Sequence, residues 1–229
     1  MVGAMDGGRQ TEVAGGVNQS GVRDHNERLI LSLLQRGGAL PGAEVARRIG
    51  LSPQTVSIIL RKLENDAILR RGEPIRGKVG KPSIPMELNP DGVFGVGMKI
   101  GRRSADLVLL DLVGQVRNQI HTTYAYPLPD QVFGFLETGL DALFADLPAE
   151  MRARVCGIGL ATPFELWKWN DLSGSAAEEF HRWANVDFAG EVARFTDLPV
   201  QVVNDATAAC RAEHLFGRGK AFRDYAYFF

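Results

Sequence analysis

Cysteine is nearly missing from this 229-residue sequence: Cys156 and Cys210 stand far apart and belong to no CxxC pair. That excludes a disulfide framework and a zinc site built from this chain's own thiolates, and leaves two small buried side chains in a reducing compartment as the expectation. No apolar run approaches the roughly 18 residues a membrane helix requires. The first twenty residues mix Gly, Asp, Arg, Gln and Glu without the apolar stretch of a secretory signal. A cytoplasmic protein with no membrane partner is expected. Net charge is also nearly absent, at −1, but it is unevenly spread. Residues 1–90 carry 13 Lys and Arg against 9 Asp and Glu, whereas residues 91–229 carry 13 against 18. A basic first part on an acidic second part suits a small nucleic-acid module joined to a domain that does not bind nucleic acid.

What is present is a change of hydrophobic period along the chain. Residues 1–22 are polar and Gly-rich and read as a flexible arm. From Asp24, Leu29, Ile30, Leu33 and Leu34 recur at helical spacing until Gly37-Gly38. A second helix covers about Gly42–Ile49 with Val45, Ala46 and Ile49 inward, and Gly50-Leu51 makes the turn. Ser52-Pro53 opens a third helix, since Ser is a favoured N-cap and Pro suits the first helical position. Leu69–Arg71 and the run to Leu88, with Ile84, Met86 and Leu88 alternating, read as two strands around the loop Gly72–Pro82. Asn89-Pro90-Asp91-Gly92 is turn chemistry and marks a domain boundary. Beyond it the sequence predicts strands at Phe94–Ile100, Ala105–Leu112 and Gln115–Tyr124, a helix at about Gln131–Leu147 and a strand at Val155–Ala161. Helices at Val186–Phe195 and Ala206–Phe216 flank a strand at Val200–Val203, and a last strand begins at Tyr225. The expected fold class is α/β: a winged helix-turn-helix over 23–88, then a domain over 92–229 whose sheet opens as an antiparallel meander.

In a winged helix-turn-helix the third helix enters the major groove and the wing lies along the backbone or minor groove. A turn of 100° per residue places Val56, Ile59, Leu60 and Leu63 on the inner side and Gln54, Ser57, Ile58, Arg61 and Asn65 on the other. Gln pairs with adenine, Arg with guanine, and Ile58 suits a thymine methyl. Thr55 and Lys62 complete the candidate set on this helix. Arg76, Lys78 and Lys81 lie among Gly72, Gly77 and Gly80, where glycines admit close approach and cations neutralise phosphate. A solvated helix face and an ordinary basic loop are the bland alternatives. The expected partner is a double-stranded DNA operator.

The segments GLSPQTVSIILRKLENDAIL, GKPSIPMELNPDGVFGVGMKIG, GIGLATPFELWKW and LPVQVVNDATAACRAEHLFGRG carry a resemblance to ROK-family regulators (repressor, open reading frame, kinase) from about Asp24 to Phe229. The resemblance implies an actin/hexokinase-like (ribonuclease H-like) lobe with a sugar pocket, in which Asn204 and Asp205 of the NDA motif contact sugar hydroxyls. In kinase members that aspartate is the general base. A carboxylate at the end of the apolar strand Val200–Val203 suits such a role, although capping of the following helix explains the same residues. Trp167, Trp169 and Trp183 then stand around the pocket mouth, as packing residues or as stacking surfaces for a sugar.

Two departures bear on activity. Kinase members carry an acidic residue in their first glycine-rich phosphate motif where this chain has Lys99, in MKIGRRS. The family also continues into a second lobe where this sequence stops in DYAYFF, so the lobe reads as incomplete. Phosphoryl transfer needs positioned phosphates and metal as well as a base, so no catalytic residues and no cofactor are expected. The expected function is a sequence-specific transcriptional regulator, a repressor of carbohydrate-metabolism genes that responds to a sugar or sugar phosphate and works as a homodimer. A sugar kinase with an added DNA-binding head and a non-sensing DNA-binding fragment remain as alternatives.

Overall fold

The computed structural model describes residues 19–75, 83–163, 178 and 180–228. Helix α1 spans Gln19–Gly37, so helix begins inside the stretch that the sequence assigns to an arm. Residues 21–25 are all exposed and bring no apolar face. They extend a helix already nucleated by the buried Ile30 and Leu34, because each added residue gains one backbone bond. A two-residue strand β1 (Leu40–Pro41) follows, then α2 (Gly42–Ile49), α3 (Pro53–Asn65), β2 (Leu69–Arg71) and β3 (Pro85–Leu88). These strands form a small antiparallel sheet in the order β1-β3-β2. Its core joins Ile30, Leu34, Val45, Val56, Leu60 and Leu69. Ile84 lies outside β3 and is exposed; Pro85, Met86 and Leu88 face inward instead, because the strand packs around its Pro85–Met86 pairing with β1.

The second unit is a five-stranded sheet in the order β6-β5-β4-β7-β8. Strands β4 (Phe94–Ile100), β5 (Ser104–Asp111) and β6 (Val116–Thr123) form the expected meander. Strands β7 (Val155–Thr162) and β8 (Val200–Asn204) then add in parallel on the β4 side. Phe94, Val96, Met98 and Ile100 alternate onto one face, where α4 (Pro129–Phe144) buries Val132, Leu136, Leu140 and Leu143. A short α5 (Ala149–Arg152), unexpected from the sequence, leads into β7.

Trp183 is 4% exposed, donates its indole N–H to the Pro127 carbonyl and stacks on Phe188 at 5.5 Å. It is a core residue, as its packing alternative holds; Trp167 and Trp169 lie outside the described residues. The helix expected over Val186–Phe195 is only the short α6 (Phe188–Val192), preceded by a 3-10 turn (Arg182–Asn185). After β8 comes α7 (Asp205–Leu215). No strand forms at Tyr225: its ring folds back on α7, and its hydroxyl donates to the Cys210 carbonyl at 2.8 Å. Cys156 is exposed and Cys210 half-buried, so neither is the buried side chain expected, since Cys156 sits on an outward position of β7. No described helix is long and apolar enough to cross a membrane.

The boundary at Asn89–Gly92 is tied down rather than loose. Asn89 caps a 3-10 turn, and its amide donates to the Ala67 carbonyl at 2.8 Å. Leu112 and Val113, in the β5–β6 turn, pack against the core of the first unit. Asp111 anchors that turn. Its carboxylate accepts from the amides of Val113 (3.0 Å) and Gln115 (2.9 Å) and from Arg117 Nε (2.7 Å). Arg117 reaches on to Asp91 at 2.6 Å.

Candidate nucleic-acid interface and sugar pocket

The turn between α2 and α3 is set by two residues with opposite tasks. Gly50 ends α2 in the left-handed region, at φ 70°, where a side chain is disfavoured. Ser52 starts α3, with its Oγ accepting the Thr55 amide at 3.1 Å and Pro53 in the first turn. Thr55, one of the candidate DNA contacts, is half-buried and its hydroxyl lies 2.8 Å from Ser52 Oγ. Its side chain therefore serves the cap.

On α3, Val56, Ile59, Leu60 and Leu63 are buried, and Gln54, Ser57, Ile58 and Arg61 are exposed on the outer face. Ile58 is 56% exposed, high for an isoleucine on a helix. The cations around this face divide into engaged and available. Lys62 turns to the flank facing α1, where its Nζ meets Glu27 at 3.0 Å and Asp66 at 3.5 Å. Its hydrogen bond to Glu27 holds its pKa above the ordinary lysine value. Arg71 bonds Glu64 at 2.7 Å and Arg70 bonds Glu87 at 2.7 Å. Glu44 takes both Arg47 and Arg48, whose hydrogen bonds pull its pKa down to about 2. Arg61 has no hydrogen-bond or ion-pair partner among the described residues. A cleft of about 410 Å³ runs beside it, between α2, α3 and β3, lined by Gly42, Ser57, Arg61, Arg71 and Ile84. The wing cations Arg76, Lys78 and Lys81 lie outside the described residues.

The second candidate site is at the carboxyl ends of β7 and β8, where ligands of open α/β sheets bind. Register places Thr162 beside Asn204, and Lys99, Ala161 and Val203 in one row across β4, β7 and β8. Asn204 caps α7, its Oδ1 accepting the Thr207 amide at 3.2 Å. Asp205 Oδ1 accepts the Ala206 amide at 2.9 Å and the Asn204 side-chain amide at 3.2 Å. Asp205, Lys99 and Asp106 line one cavity of about 410 Å³ under α7, floored by Gly97, Gly159 and Ala161. The structure thus brings Lys99 and Asp205 to one pocket although 106 positions separate them in sequence. Asp111 was not legible as a buried anchor: DLVGQ reads as an ordinary turn, and only the fold shows the carboxylate closed off.

Comparison with known proteins assigns a family model to each unit. Residues 23–69 match a winged helix-turn-helix DNA-binding model, and residues 95–228 match the model described as ROK family. The xylose repressor of Bacillus subtilis is 20% identical over 203 residues, covering 89% of this chain and 52% of that protein. The DNA-binding transcriptional dual regulator NagC of Escherichia coli is 25% identical over 119 residues, covering 52% of this chain and 28% of its own length. A crystal structure of a ROK family transcriptional regulator, a homolog of the E. coli MLC protein, superposes with a TM-score of 0.58 at 20% identity, covering 85% of this chain and 49% of that one. This chain spans about half the length of the first curated relatives it matches.

Proposed function

Because the chain belongs to the ROK family, we propose that it is a sequence-specific DNA-binding regulator, a repressor of carbohydrate-metabolism genes whose body senses a sugar. The observation that carries this reading is the outer face of α3. Gln54, Ser57, Ile58 and Arg61 point outward, and Arg61 is unengaged among the described residues while Lys62, Arg70 and Arg71 are paired within the protein. A guanidinium on a groove-facing helix suits bidentate pairing with guanine. Arg76, Lys78 and Lys81 supply the phosphate contacts of the wing, and a homodimer would place two such helices on a two-fold operator.

In the body, Asn204 and Asp205, at the carboxyl end of β8, contact sugar hydroxyls, and Asp205 lines the cavity shared with Lys99. We read that cavity as a sensor and not a kinase site. Phosphoryl transfer needs a metal-bound nucleotide held in place, and Lys99 stands where kinase members hold an acid. Sugar-dependent ATP turnover above background would overturn that part of the reading.

Fluorescence anisotropy tests the whole. The purified chain is titrated with a duplex selected from a random pool and with unselected DNA, at two salt concentrations, with and without free sugars. Tight, selective binding that a sugar weakens is the expected result. Equal binding to both DNAs refutes the regulator reading.

A further inference from the structure

Helix α7 touches both candidate sites. Asn204 caps its start and Asp205 is its first residue; about 16 Å along, at 1.5 Å per residue, its last turn meets the DNA-binding unit. There His214 Nε2 accepts from Arg36 Nη2, in the last turn of α1, at 2.8 Å. Just past the helix, the ring of Phe216 lies so close to Gly114 that a Cβ there would collide with it. Gly114 sits at φ 85°, and its neighbour Val113 packs on the core of the DNA-binding unit. Tyr225 holds His214 from the other side, stacked at 6.0 Å and 12°.

The same helix is weakly anchored to its own sheet. It has no fully buried residue, whereas α4 on the opposite face has eight. Ala208, Ala209 and Ala212 line the open cavity together with Gly97, Gly159, Ala161, Val108 and Val203, a bed of mostly small side chains. A second cavity of about 450 Å³ lies at the far end, lined by Leu34, Gly38, Leu88, Val113, Leu215 and Phe216. Small residues beneath the helix and space at its far end leave room for a lengthwise shift; shear of packed helices is a known switching motion.

We propose that α7 is the mechanical link between the body and the DNA-binding unit. A polyhydroxyl ligand held by Asn204 and Asp205 displaces the helix lengthwise, and the displacement reaches α1 through Arg36–His214 and the β5–β6 turn through Phe216–Gly114. The ligand half rests on the sensor reading above; the link itself is tested without a ligand. Such coupling requires only that the two positions of α7 differ in their contacts at both ends.

Hydrogen exchange of the full chain in a mutant cycle decides it. Asn204→Ala perturbs the ligand end, and His214→Ala with Phe216→Ala cuts the far end, where both side chains are part-exposed. Asn204→Ala is expected to speed exchange of amides 34–38 and 113–115 by at least about threefold, and to have no such effect when the far end is cut. Exchange confined to amides 206–209, or the same distant change in both backgrounds, overturns the link. If Asn204→Ala fails to fold, Asp205→Ala, which removes the acceptor of the Ala206 amide, takes its place. Glucose, xylose and N-acetylglucosamine are then added to the wild type. Protection at 206–209 that never reaches 34–38 also overturns the link. No protection by any of the three counts against the sensor reading, while the mutant cycle still decides the link.

Discussion

Arg61 and Lys62 are adjacent cations on one helix, and the structure gives them opposite fates. Arg61 is exposed with no partner among the described residues, whereas Lys62 is paired with Glu27 and Asp66. On the proposed function, Arg61→Ala therefore removes a base contact and no bond to any described residue. A good bidentate contact is worth about 1–3 kcal/mol of discrimination, or a loss of about 5- to 150-fold on the selected duplex. Unselected DNA is affected far less, and the salt slope stays unchanged, because a base contact releases no phosphate counterion. Lys62→Ala breaks a surface pair worth about 0–1 kcal/mol of folding free energy and leaves selectivity in place. Anisotropy on both duplexes at two salt concentrations, with urea denaturation alongside, measures all four quantities. Equal losses on selected and unselected DNA for Arg61→Ala, with a slope shallower by about 1, would make Arg61 a phosphate contact. A larger selective loss for Lys62→Ala would refute the assignment of faces altogether.

Asp111 is the buried anchor of the β5–β6 turn, so Asp111→Ala leaves two amides and Arg117 without their acceptor. A loss of about 3 kcal/mol is expected, seen as a Tm lower by about 6–12 °C; Asp111→Asn keeps the amide bonds and loses about 1 kcal/mol. Ile58→Ser removes an exposed methyl surface, so stability stays within about 0.5 kcal/mol, while selection from a random pool should return sites with a weaker preference for thymine. Glu44 titrates at about 2 in the folded protein against an ordinary 4.5, through hydrogen bonds from Arg47 and Arg48. Its folded pKa is the lower one, so its contribution is present above pH 4.5 and is lost as pH falls toward 2. The urea midpoint of the wild type should fall more steeply over that window than that of Glu44→Gln; parallel curves would refute the ion-pair assignment.

The elements that sequence alone delimits are those with local causes. The start of α3 is legible because Ser52 and Pro53 carry their own cap chemistry, and the β8–α7 junction because Val200–Val203 stops at the capping pair Asn204-Asp205. What stays hidden depends on partners distant in the chain. Leu40–Pro41 is a strand only because Pro85 and Met86 lie beside it. Lys62 is a candidate DNA contact by its place on α3, and its bond to Glu27, 35 positions earlier, is invisible in the local sequence. Tyr225 has a strand's composition around it, yet the exposed flank of α7 offers its ring and hydroxyl a better place than the sheet does.

The two meanings of Asn204-Asp205, helix cap and sugar ligand, are also compatible at the level of atoms. Asn204 Oδ1 and Asp205 Oδ1 accept backbone amides of α7. Asp205 Oδ2 and the second amide hydrogen of Asn204 have no partner among the described residues. The cap therefore holds both side chains in fixed rotamers and leaves one acceptor and one donor available, the pair that a sugar hydroxyl needs. Two groups already immobilised lose little further entropy when a ligand arrives. Because their other atoms are bonded to the first turn of α7, any force a ligand exerts on them acts on the end of that helix. The capping geometry that first argues against a binding role is thus what would make binding there mechanically consequential.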